Sequence, residues 1–570
     1  MEEATLHERT LRSTAGSACW LAPAACCHNP CMSAPINWPR ATVDFLNERL
    51  YRLAAACREA GVPFHDDAGV DEQLQRVLLA SDFAYAAFLA DPQLLGADFL
   101  NLMIDPRLAD ARAGALMEPR DTDELRRELR RFRLREALRL IWRDVNGADA
   151  LETTLAGASV LAETSIEAAL RGAEREVSSR HGHLHDARGH VQRLVVFALG
   201  KLGGGELNFS SDIDLVFAFS EQGESRGAAG ARVRPLDAGN YFARVGQLLV
   251  SLLADRDADG YVYRVDLRLR PFGNAGRLAL SFTAMEQYFQ REGRDWERYA
   301  WIKARPVAGD RNAGGRLLET LRPFVFRRYL DYSAFAGLRE MKALIDGEVA
   351  RKDLADHLKL GRGGIREIEF IVQLVQLIRG GREPALRVRG LLPALAACEQ
   401  LGYMPAGRAR RLREAYRFLR RLENRLQMLG DQQTHDIPPE EAIRLRLALG
   451  LGYAEWAPLA AELERQRDAV AEEFAALMAV DARGRARAAQ AQWPAFWRNL
   501  AAGGPIDADG LAQAGFEPVE RVAGELESLL ASNALRTMSA RSRERLDRVM
   551  PALFVAAAAD VIVVPPGNRS

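Results

Sequence analysis

One segment of the chain combines a glycine-rich turn with two closely spaced carboxylates. The turn follows an apolar run over residues 193–200 and leads into a second apolar run, which opens with Asp212, Ile213 and Asp214. Short β-branched runs bounded by glycines are typical of buried strands. Because side chains alternate between the faces of a strand, both aspartates are expected on one face, with Ile213 turned into the core. The segment therefore predicts two buried strands and a pair of neighbouring carboxylates.

A bound cation is expected beside this pair, because adjacent carboxylates repel each other unless they are neutralised. Carboxylate oxygens suit hard divalent ions, so we expect Mg²⁺, with Mn²⁺ as the alternative. Gly203 and Gly204 in the turn allow the backbone to approach a phosphate and to offer N–H donors. Lys201 adds a compact positive charge and Ser211 a hydroxyl donor. We therefore interpret the turn as a phosphate-binding element.

A third carboxylate lies in a later segment that alternates between apolar and polar residues. Residues 261–270 alternate strictly, which predicts a strand with two different faces. Asp266 shares its expected face with Arg268 and Arg270. A surface ladder of salt bridges is one interpretation, but the paired aspartates nearby favour a third metal ligand flanked by arginines that bind phosphate. Three carboxylates that hold two metal ions support in-line displacement at phosphorus.

The rest of the chain has the spacing of amphipathic helices. Residues 41–150 and 151–180 precede the strands, residues 237–254 follow the second strand, and helical spacing resumes at about residue 282. We predict a mixed, mostly α fold: an α/β domain with a small mixed sheet, flanked by helical regions. The order of strand, glycine turn, Asp-x-Asp strand, helix and strand with a third aspartate resembles the nucleotidyltransferase superfamily, so the α/β domain is expected to be of that type. The arginine-rich stretch 123–145 is expected to present a solvated face.

Other groups of reactive side chains are interpreted as structural. Four histidines within residues 181–190 are expected in a solvated loop, and four cysteines within residues 1–31 in an extension. Glu367 and Glu369 follow a glycine-rich break at the start of a helix. They lie about 200° apart around a helix axis, so they cannot share one small site. One of them in a structural ion pair is the favoured interpretation.

Composition narrows the classes of function. The 77 basic and 77 acidic residues cancel, which argues against a general nucleic-acid binder and against attachment to membranes by charge. No apolar run is long enough to cross a bilayer, and we expect a cytoplasmic protein. Only five of the basic residues are lysine. Three of these, Lys201, Lys303 and Lys359, lie within the motifs described next.

Five motifs, in order along the chain, resemble a single enzyme family. They are GKLGGGELNFSSDIDLVF (200–217), YRVDLRLRPFGNAGRLALSF (263–282), GRDWERYAWIKARPVAGD (293–310), LKLGRGGIREIEFIVQ (358–373) and RRLENRLQMLGDQQTHDIP (420–438). Together they resemble the glutamine synthetase adenylyltransferase/adenylyl-removing enzymes. The resemblance covers roughly residues 41–480. The motif sequences are similar to those of the N-terminal, adenylyl-removing unit of this tandem family.

The resemblance implies a magnesium-dependent nucleotidyltransferase that acts on glutamine synthetase and so controls nitrogen assimilation. In the family, the N-terminal unit removes AMP from a tyrosine of glutamine synthetase by phosphorolysis with orthophosphate and releases ADP. A C-terminal copy adds AMP from ATP, and a helical region between the two responds to the PII signal protein and to glutamine. Carried over to this chain, Asp212, Asp214 and Asp266 match the metal-binding carboxylates, and Gly203 and Gly204 match the nucleotide turn.

The resemblance also implies a division into domains. We expect a disordered extension over 1–40, a helical region over 41–150, the catalytic domain over 151–310, a helical bundle like that of PII-uridylyltransferase over 311–480, and the start of a regulatory linker over 481–570. No second glycine-turn and Asp-x-Asp block follows residue 310. We therefore expect a truncated first half of the tandem enzyme, for which addition of AMP stays an open question.

Two alternatives stay open from the sequence. The chain could be a non-catalytic remnant that binds glutamine synthetase or PII without turnover. It could also be a nucleotidyltransferase for another substrate, such as an antibiotic or a tRNA end, although the neutral net charge weighs against RNA.

Overall fold

The computed structural model describes most of the chain between residues 38 and 560. The described residues are 38–64, 68–116, 121–227, 232–327, 356–488, 492–513, 516, 518–532, 535 and 537–560. Of the extension expected over residues 1–40, only residues 38–40 are described. Its four cysteines lie outside the described residues. Within the described residues the chain is mostly helical and forms one mixed sheet of five strands. The predicted fold class is therefore confirmed.

The sheet is built around two central antiparallel strands. Its strands are β1 (Val195–Ala198), β2 (Ile213–Phe219), β3 (Val265–Asp266), β4 (Ala279–Ser281) and β5 (Arg305–Gly309). Strand β1 pairs antiparallel with β2 on one side and with β5 on the other. The short strands β3 and β4 both run parallel to β2, β3 beside its first residues and β4 beside its last. Two of the predicted strands, β1 and β2, are confirmed, whereas β4 and β5 had no clear strand pattern.

The two faces of the sheet pack into different apolar cores. Val196 and Phe217 pack on one side with the helices Leu151–His181 and Ala238–Ala254. Val216 and Ala218 pack on the other side with helices from the later part of the chain. Asp214 lies two residues before Val216 and four before Ala218, so its side chain is on the same face of β2, which the later helices cover.

The other regular elements of the described structure are helices. Before the sheet they are Arg40–Glu59, Ala68–Ala80, Asp82–Ala90, Ala97–Ile104, Thr122–Val145 and Leu151–His181, with short 3-10 turns at Pro92–Leu95 and Ala109–Leu116. Within the sheet region they are Gly200–Gly203, Ala238–Ala254, Phe282–Arg291 and Asp295–Trp301, with a 3-10 turn at Gly273–Ala275. After it they are Arg311–Val325, Ile365–Arg379, Leu391–Gln400, Ala406–Gly430, Glu441–Gly450, Trp456–Ala488, Gln492–Ala501, Ala508–Gln513, Val519–Ala531 and Ala540–Asp560, with a 3-10 turn at Pro384–Leu386. None of the described helices is long and apolar enough to span a bilayer.

The strand predicted over residues 261–270 is wrong for most of its length. Only Val265 and Asp266 pair with β2. Upstream, the backbone N–H groups of Val262 and Tyr263 both donate to the carbonyl of Leu253, so these residues close the preceding helix. Val262 is fully buried, although the alternation assigned it to the polar face. The alternating pattern here arises from a buried turn followed by a short strand and a loop.

The solvated arginine face predicted for residues 123–145 is also wrong in part. Arg130, Arg133, Arg139 and Arg143 of the helix Thr122–Val145 are buried. Arg139 donates to Glu136 at 3.0 Å, and Arg143 pairs with Asp149 at 2.7 Å. Arginine tolerates such burial because its planar guanidinium satisfies several acceptors at once. Arg133 joins this helix to the end of the helix Ala406–Gly430 through an ion pair of 2.7 Å with Asp431.

Candidate functional site

Three carboxylates come together where β2 and β3 begin to pair. Asp214 lies directly opposite Asp266 in the parallel register of the two strands. Asp212 precedes the first residue of β2, two positions before Asp214 on the same side. The structure therefore brings together the three predicted metal ligands, and Ile213 is fully buried in the core, as predicted.

The carboxyl group of Asp214 is the most electrostatically perturbed of the three. Burial, together with the nearby negative charges of Asp212 and Asp266, raises the pKa of Asp214 to about 7. Gly200 makes the room for this side chain. Its φ is +55°, and a Cβ atom there would lie 2.3 Å from Oδ2 of Asp214. Sequence reasoning passed over Gly200 because its requirement comes from a side chain on a neighbouring strand.

The other two carboxylates have polar partners. Asp266 accepts hydrogen bonds from the guanidinium of Arg268 at 2.6 Å and from the backbone N–H of Arg268 at 2.8 Å. Burial would raise the pKa of Asp266, but these bonds outweigh it and the pKa falls below its usual value. Asp212 accepts a hydrogen bond of 2.6 Å from the side-chain amide of Gln433.

The charge and donor type of this site fit a divalent cation, but the side chains are not arranged as a complete ligand set. Among the residues that the structure describes, no group of three His, Cys, Asp or Glu side chains has the spacing to hold a metal ion. Arg268 and Gln433 occupy oxygens of Asp266 and Asp212. A cation would replace the positive charge of Arg268 and relieve the repulsion around Asp214.

The glycine turn is explained first by close packing. Gly203 ends the short helix Gly200–Gly203, and a Cβ atom there would lie 2.2 Å from the carbonyl oxygen of Lys303. A Cβ atom on Gly204 would lie 3.0 Å from a carboxylate oxygen of Glu206. The turn thus needs glycine to fit against the segment that leads into β5. Its predicted contact with phosphate stays a prediction.

Lys201 lies in a buried ion pair and does not point into open space. Its ammonium donates to Glu423 at 2.7 Å, and Glu423 belongs to the helix Ala406–Gly430. Burial lowers the pKa of Lys201 to about 8, although Glu423 opposes this effect. Asn208 and Arg420 bond to the same carboxylate. Lys201 therefore ties the glycine turn to the later helices.

Arg270 and Ser211 have structural surroundings as well. Arg270 donates to the carbonyls of Leu267, Asn274 and Gly276 at 2.7, 3.3 and 3.4 Å and so closes the loop after β3. Its assignment to the carboxylate face depended on a strand that ends at Asp266. Arg270 acts on Asp266 through its charge, while its hydrogen bonds go to the loop carbonyls. Ser211 is buried immediately before Asp212.

The motif at residues 361–369 behaves as predicted. The helix Ile365–Arg379 begins after Gly364. Glu369 forms an ion pair of 2.9 Å with Lys303, which is the structural role that the sequence favours. Glu367 accepts a hydrogen bond of 3.2 Å from the backbone N–H of Gly363. The histidine segment is a solvated loop at His183, His185 and His190, as predicted, whereas His181 is the buried last residue of the helix Leu151–His181.

Sequence reasoning missed the contribution of residues 431–437, which follow the helix Ala406–Gly430. Gln433 bonds Asp212, and Nδ1 of His435 lies 2.9 Å from the buried carboxylate of Glu423. The signal was the polar end of the motif at 420–438, which helped to define the resemblance but was given no role. Only the packing of the later helices on the sheet brings this segment to the carboxylates.

Comparison with protein families divides the chain into two matched regions. Residues 71–320 match the family model described as glutamate-ammonia ligase adenylyltransferase, which includes all three carboxylates. Residues 339–478 match the model described as GlnD PII-uridylyltransferase. The acidic site and the segments that cover it thus come from two adjoining family regions.

Curated relatives agree with these matches. The chain is 51% identical over 526 residues to the bifunctional glutamine synthetase adenylyltransferase/adenylyl-removing enzyme of Xanthomonas campestris pv. campestris, which covers 92% of this chain and 54% of the relative. It is 54% identical over 487 residues to the enzyme of that name from Xanthomonas axonopodis pv. citri. This match covers 85% of this chain and 50% of the relative. The corresponding enzyme of Thioalkalivibrio sulfidiphilus is 44% identical over 543 residues.

The chain spans about half the length of these curated relatives. Over the matched part the identity is 51–54%, and two family models match residues 71–320 and 339–478. The resemblance indicated by the five motifs is therefore confirmed. Over 85–92% of its length, this chain is similar to about half of a glutamine synthetase adenylyltransferase/adenylyl-removing enzyme, a type of nucleotidyltransferase.

Proposed function

We propose that this chain removes AMP from an adenylylated tyrosine of glutamine synthetase, with orthophosphate as the acceptor and ADP as the product. The observation that supports this best is the cluster of Asp212, Asp214 and Asp266 within the region matched to the adenylyltransferase family. The names of the relatives include both the adding and the removing activity. The direction proposed here depends on the similarity of residues 200–217 to the adenylyl-removing unit.

The proposed site residues act through charge. Asp212, Asp214 and Asp266 would hold Mg²⁺, as two ions, with Mn²⁺ as the alternative. When bound, the metal would neutralise the phosphate oxygens and stabilise the entering and leaving oxygens. Arg268 is largely exposed next to Asp266, so it can turn toward orthophosphate once a cation takes its place. Arg270, held by three loop carbonyls, would keep the segment after β3 in position.

The proposed reaction balances without a further reactant. An oxygen of hydrogen phosphate forms a bond to the phosphorus of AMP, and the bond from that phosphorus to the tyrosine oxygen breaks. The proton of hydrogen phosphate ends on the tyrosine. A phenol has a pKa of about 10, so its anion is a fairly good leaving group and no strong general acid is needed.

The direct test is an incubation of the chain with adenylylated glutamine synthetase, Mg²⁺ and orthophosphate. We expect ADP from the wild type and none from Asp214→Asn, because this variant removes the central negative charge of the cluster. The matched control is Asp98→Asn, which changes an exposed aspartate far from the sheet in sequence. Full activity in D214N would contradict the site assignment.

The same incubation separates the alternatives. Binding of glutamine synthetase without ADP would indicate a non-catalytic chain, and neither binding nor ADP would indicate another substrate. Release of AMP in place of ADP would indicate hydrolysis. A parallel incubation with ATP and unmodified glutamine synthetase would reveal any addition of AMP.

We also propose that residues 339–478 contact the PII signal protein, with glutamine as a further effector. The support is the match of this region to the PII-uridylyltransferase model. Titration of PII into the chain by calorimetry, with and without glutamine, tests this partner. A lack of heat in both titrations would contradict it.

A further inference from the structure

Lysine is rare in this chain, and the three lysines in the described residues all act on the carboxylate of Glu369. Only five of the 77 basic residues are lysine. Lys201 pairs with Glu423 at 2.7 Å, and Lys303 pairs with Glu369 at 2.9 Å. For Lys359, no carboxylate of the described chain lies within ion-pair distance of the ammonium. Its positive charge is therefore available to a ligand.

Backbone hydrogen bonds connect Lys359 to the segment that reaches the acidic cluster. Lys359 lies between Leu358, whose N–H donates to the carbonyl of His435 at 2.8 Å, and the glycine-rich start of the next helix. Two residues before His435, the side chain of Gln433 donates to Asp212 at 2.6 Å. One strip of the later region thus presents both Lys359 and Gln433 near the carboxylates.

The sheet face that bears Asp214 is the face toward this strip. Val216 and Ala218 lie on the same face of β2 as Asp214, and they share an apolar core with the fully buried Leu358. Lys359, the next residue, is half-buried at the edge of that core. The side chain of Lys359 therefore begins close to the acidic cluster, on the side where the later helices cover the sheet.

The charge of Lys359 acts on several groups of the site. Burial is the largest cause of the raised pKa of Asp214, and Lys359 opposes that rise. Burial also opposes ionisation of Glu369, whose pKa nevertheless falls to about 2 because of Lys303 and Lys359. For Lys201, burial lowers the pKa and Lys359 lowers it further. An ammonium in this position influences the carboxylates without pairing with any of them.

We propose that Lys359 is a phosphate-binding residue of the nucleotidyl-transfer site, and that its ligand is the orthophosphate that becomes the terminal phosphate of ADP. This inference rests on the proposed function. Lysine suits the task because its compact ammonium meets a phosphate as a point charge. The other two described lysines, Lys201 and Lys303, each form an ion pair with a glutamate. The second family region would then complete the site of the first.

Binding measurements on the full chain test the inference apart from turnover. We expect Lys359→Met to weaken binding of Mg-ADP at least tenfold, and Lys359→Arg to restore part of it. The matched control is Arg362→Met, which removes a positive charge from the same segment. Arg362 is exposed and pairs with Asp468 at 2.5 Å, so this variant should bind Mg-ADP as the wild type does.

A parallel titration with Mg-AMP identifies which phosphate is bound. Loss of ADP binding with unchanged AMP binding assigns Lys359 to the orthophosphate position. Equal loss of both assigns it to the phosphate of AMP and overturns the orthophosphate assignment. Unchanged ADP affinity in folded K359M, or no ADP binding by the wild type, overturns the phosphate-binding role altogether.

Kinetics with adenylylated glutamine synthetase provide a second readout. We expect K359M to raise the KM for orthophosphate at least tenfold with a smaller change in kcat, whereas a purely structural role would lower the thermal midpoint instead. If K359M does not fold, Lys359→Gln is measured by the same criteria. Absence of ADP from the wild-type chain would contradict the proposed function, while the binding titrations would still decide the role of Lys359.

Discussion

Gln433 donates a hydrogen bond of 2.6 Å to Asp212 across 221 residues of sequence. The bond connects the helical region matched to PII-uridylyltransferase with the acidic end of the sheet matched to adenylyltransferase. A change in the packing of the later helices would therefore move a group that holds one of the three carboxylates. The same interface includes the buried pair of Lys201 and Glu423.

We expect Gln433→Ala to reduce nucleotidyl transfer by roughly three- to tenfold, because a lost hydrogen bond to a charged group costs about 1.5–3 kcal/mol and this one is partly exposed to water. Gln433→Glu should reduce it further, since a carboxylate there repels Asp212. The measurement is the rate of ADP formation as Mg²⁺ is titrated. Gln432→Ala is the neighbouring control. Equal rates for Q433A and Q433E would contradict a role for this hydrogen bond.

We expect Gly200→Ala to abolish activity, because its Cβ would lie 2.3 Å from the carboxylate of Asp214. Gly205→Ala is a matched control: Gly205 also has a positive φ, of +71°, but a Cβ there would meet nothing within 4 Å. Both variants carry a backbone penalty of about 1–2 kcal/mol. Thermal unfolding should therefore show destabilisation in both, while ADP formation is lost only in G200A. Activity lost equally in both would argue against the steric explanation.

We expect Glu369→Gln to lower stability at neutral pH by about 3–5 kcal/mol, because it leaves the buried ammonium of Lys303 without its closest partner. The pKa of Glu369 is lowered from 4.5 to about 2 by Lys303 and Lys359 against the effect of burial. A carboxyl group with a depressed folded-state pKa stabilises above its unfolded value, and this contribution disappears as the pH falls from about 4.5 to about 2.

The thermal midpoint of the wild type should therefore fall more steeply than that of E369Q over this acidic interval. Glu319→Gln is the control, because Glu319 is an exposed carboxylate paired with Arg322. Parallel pH profiles for the wild type and E369Q would show that the ion pair does not contribute.

We expect Arg139→Met to destabilise the chain by about 1.5–3 kcal/mol, because the buried carboxylate of Glu136 loses one of its two arginine partners and keeps only Arg112. Arg131→Met, on the exposed side of the same helix, should change stability by less than about 0.5 kcal/mol. Urea unfolding followed by circular dichroism compares the two. Similar free energies of unfolding for the two variants would support the interpretation that this helix presents a solvated arginine face.

Local sequence patterns were sufficient for the elements that are regular along their own length. The β-branched run before the glycines predicts β1, the run after Asp212 predicts β2, and the spacing of residues 237–254 predicts the helix Ala238–Ala254. The alternation of residues 261–270 failed, because period two also arises where a buried turn, two strand residues and a loop follow one another.

Sequence by itself determined the acidic chemistry of the site, because two carboxylates two residues apart on a strand share a face wherever that strand lies. Tertiary structure decided what surrounds them. Lys201 was expected to meet phosphate and instead pairs with Glu423, whereas Lys359 has no such partner in the described chain. The reason is that a charged side chain is buried, paired or available according to which distant helix packs beside it, and no local period records that contact.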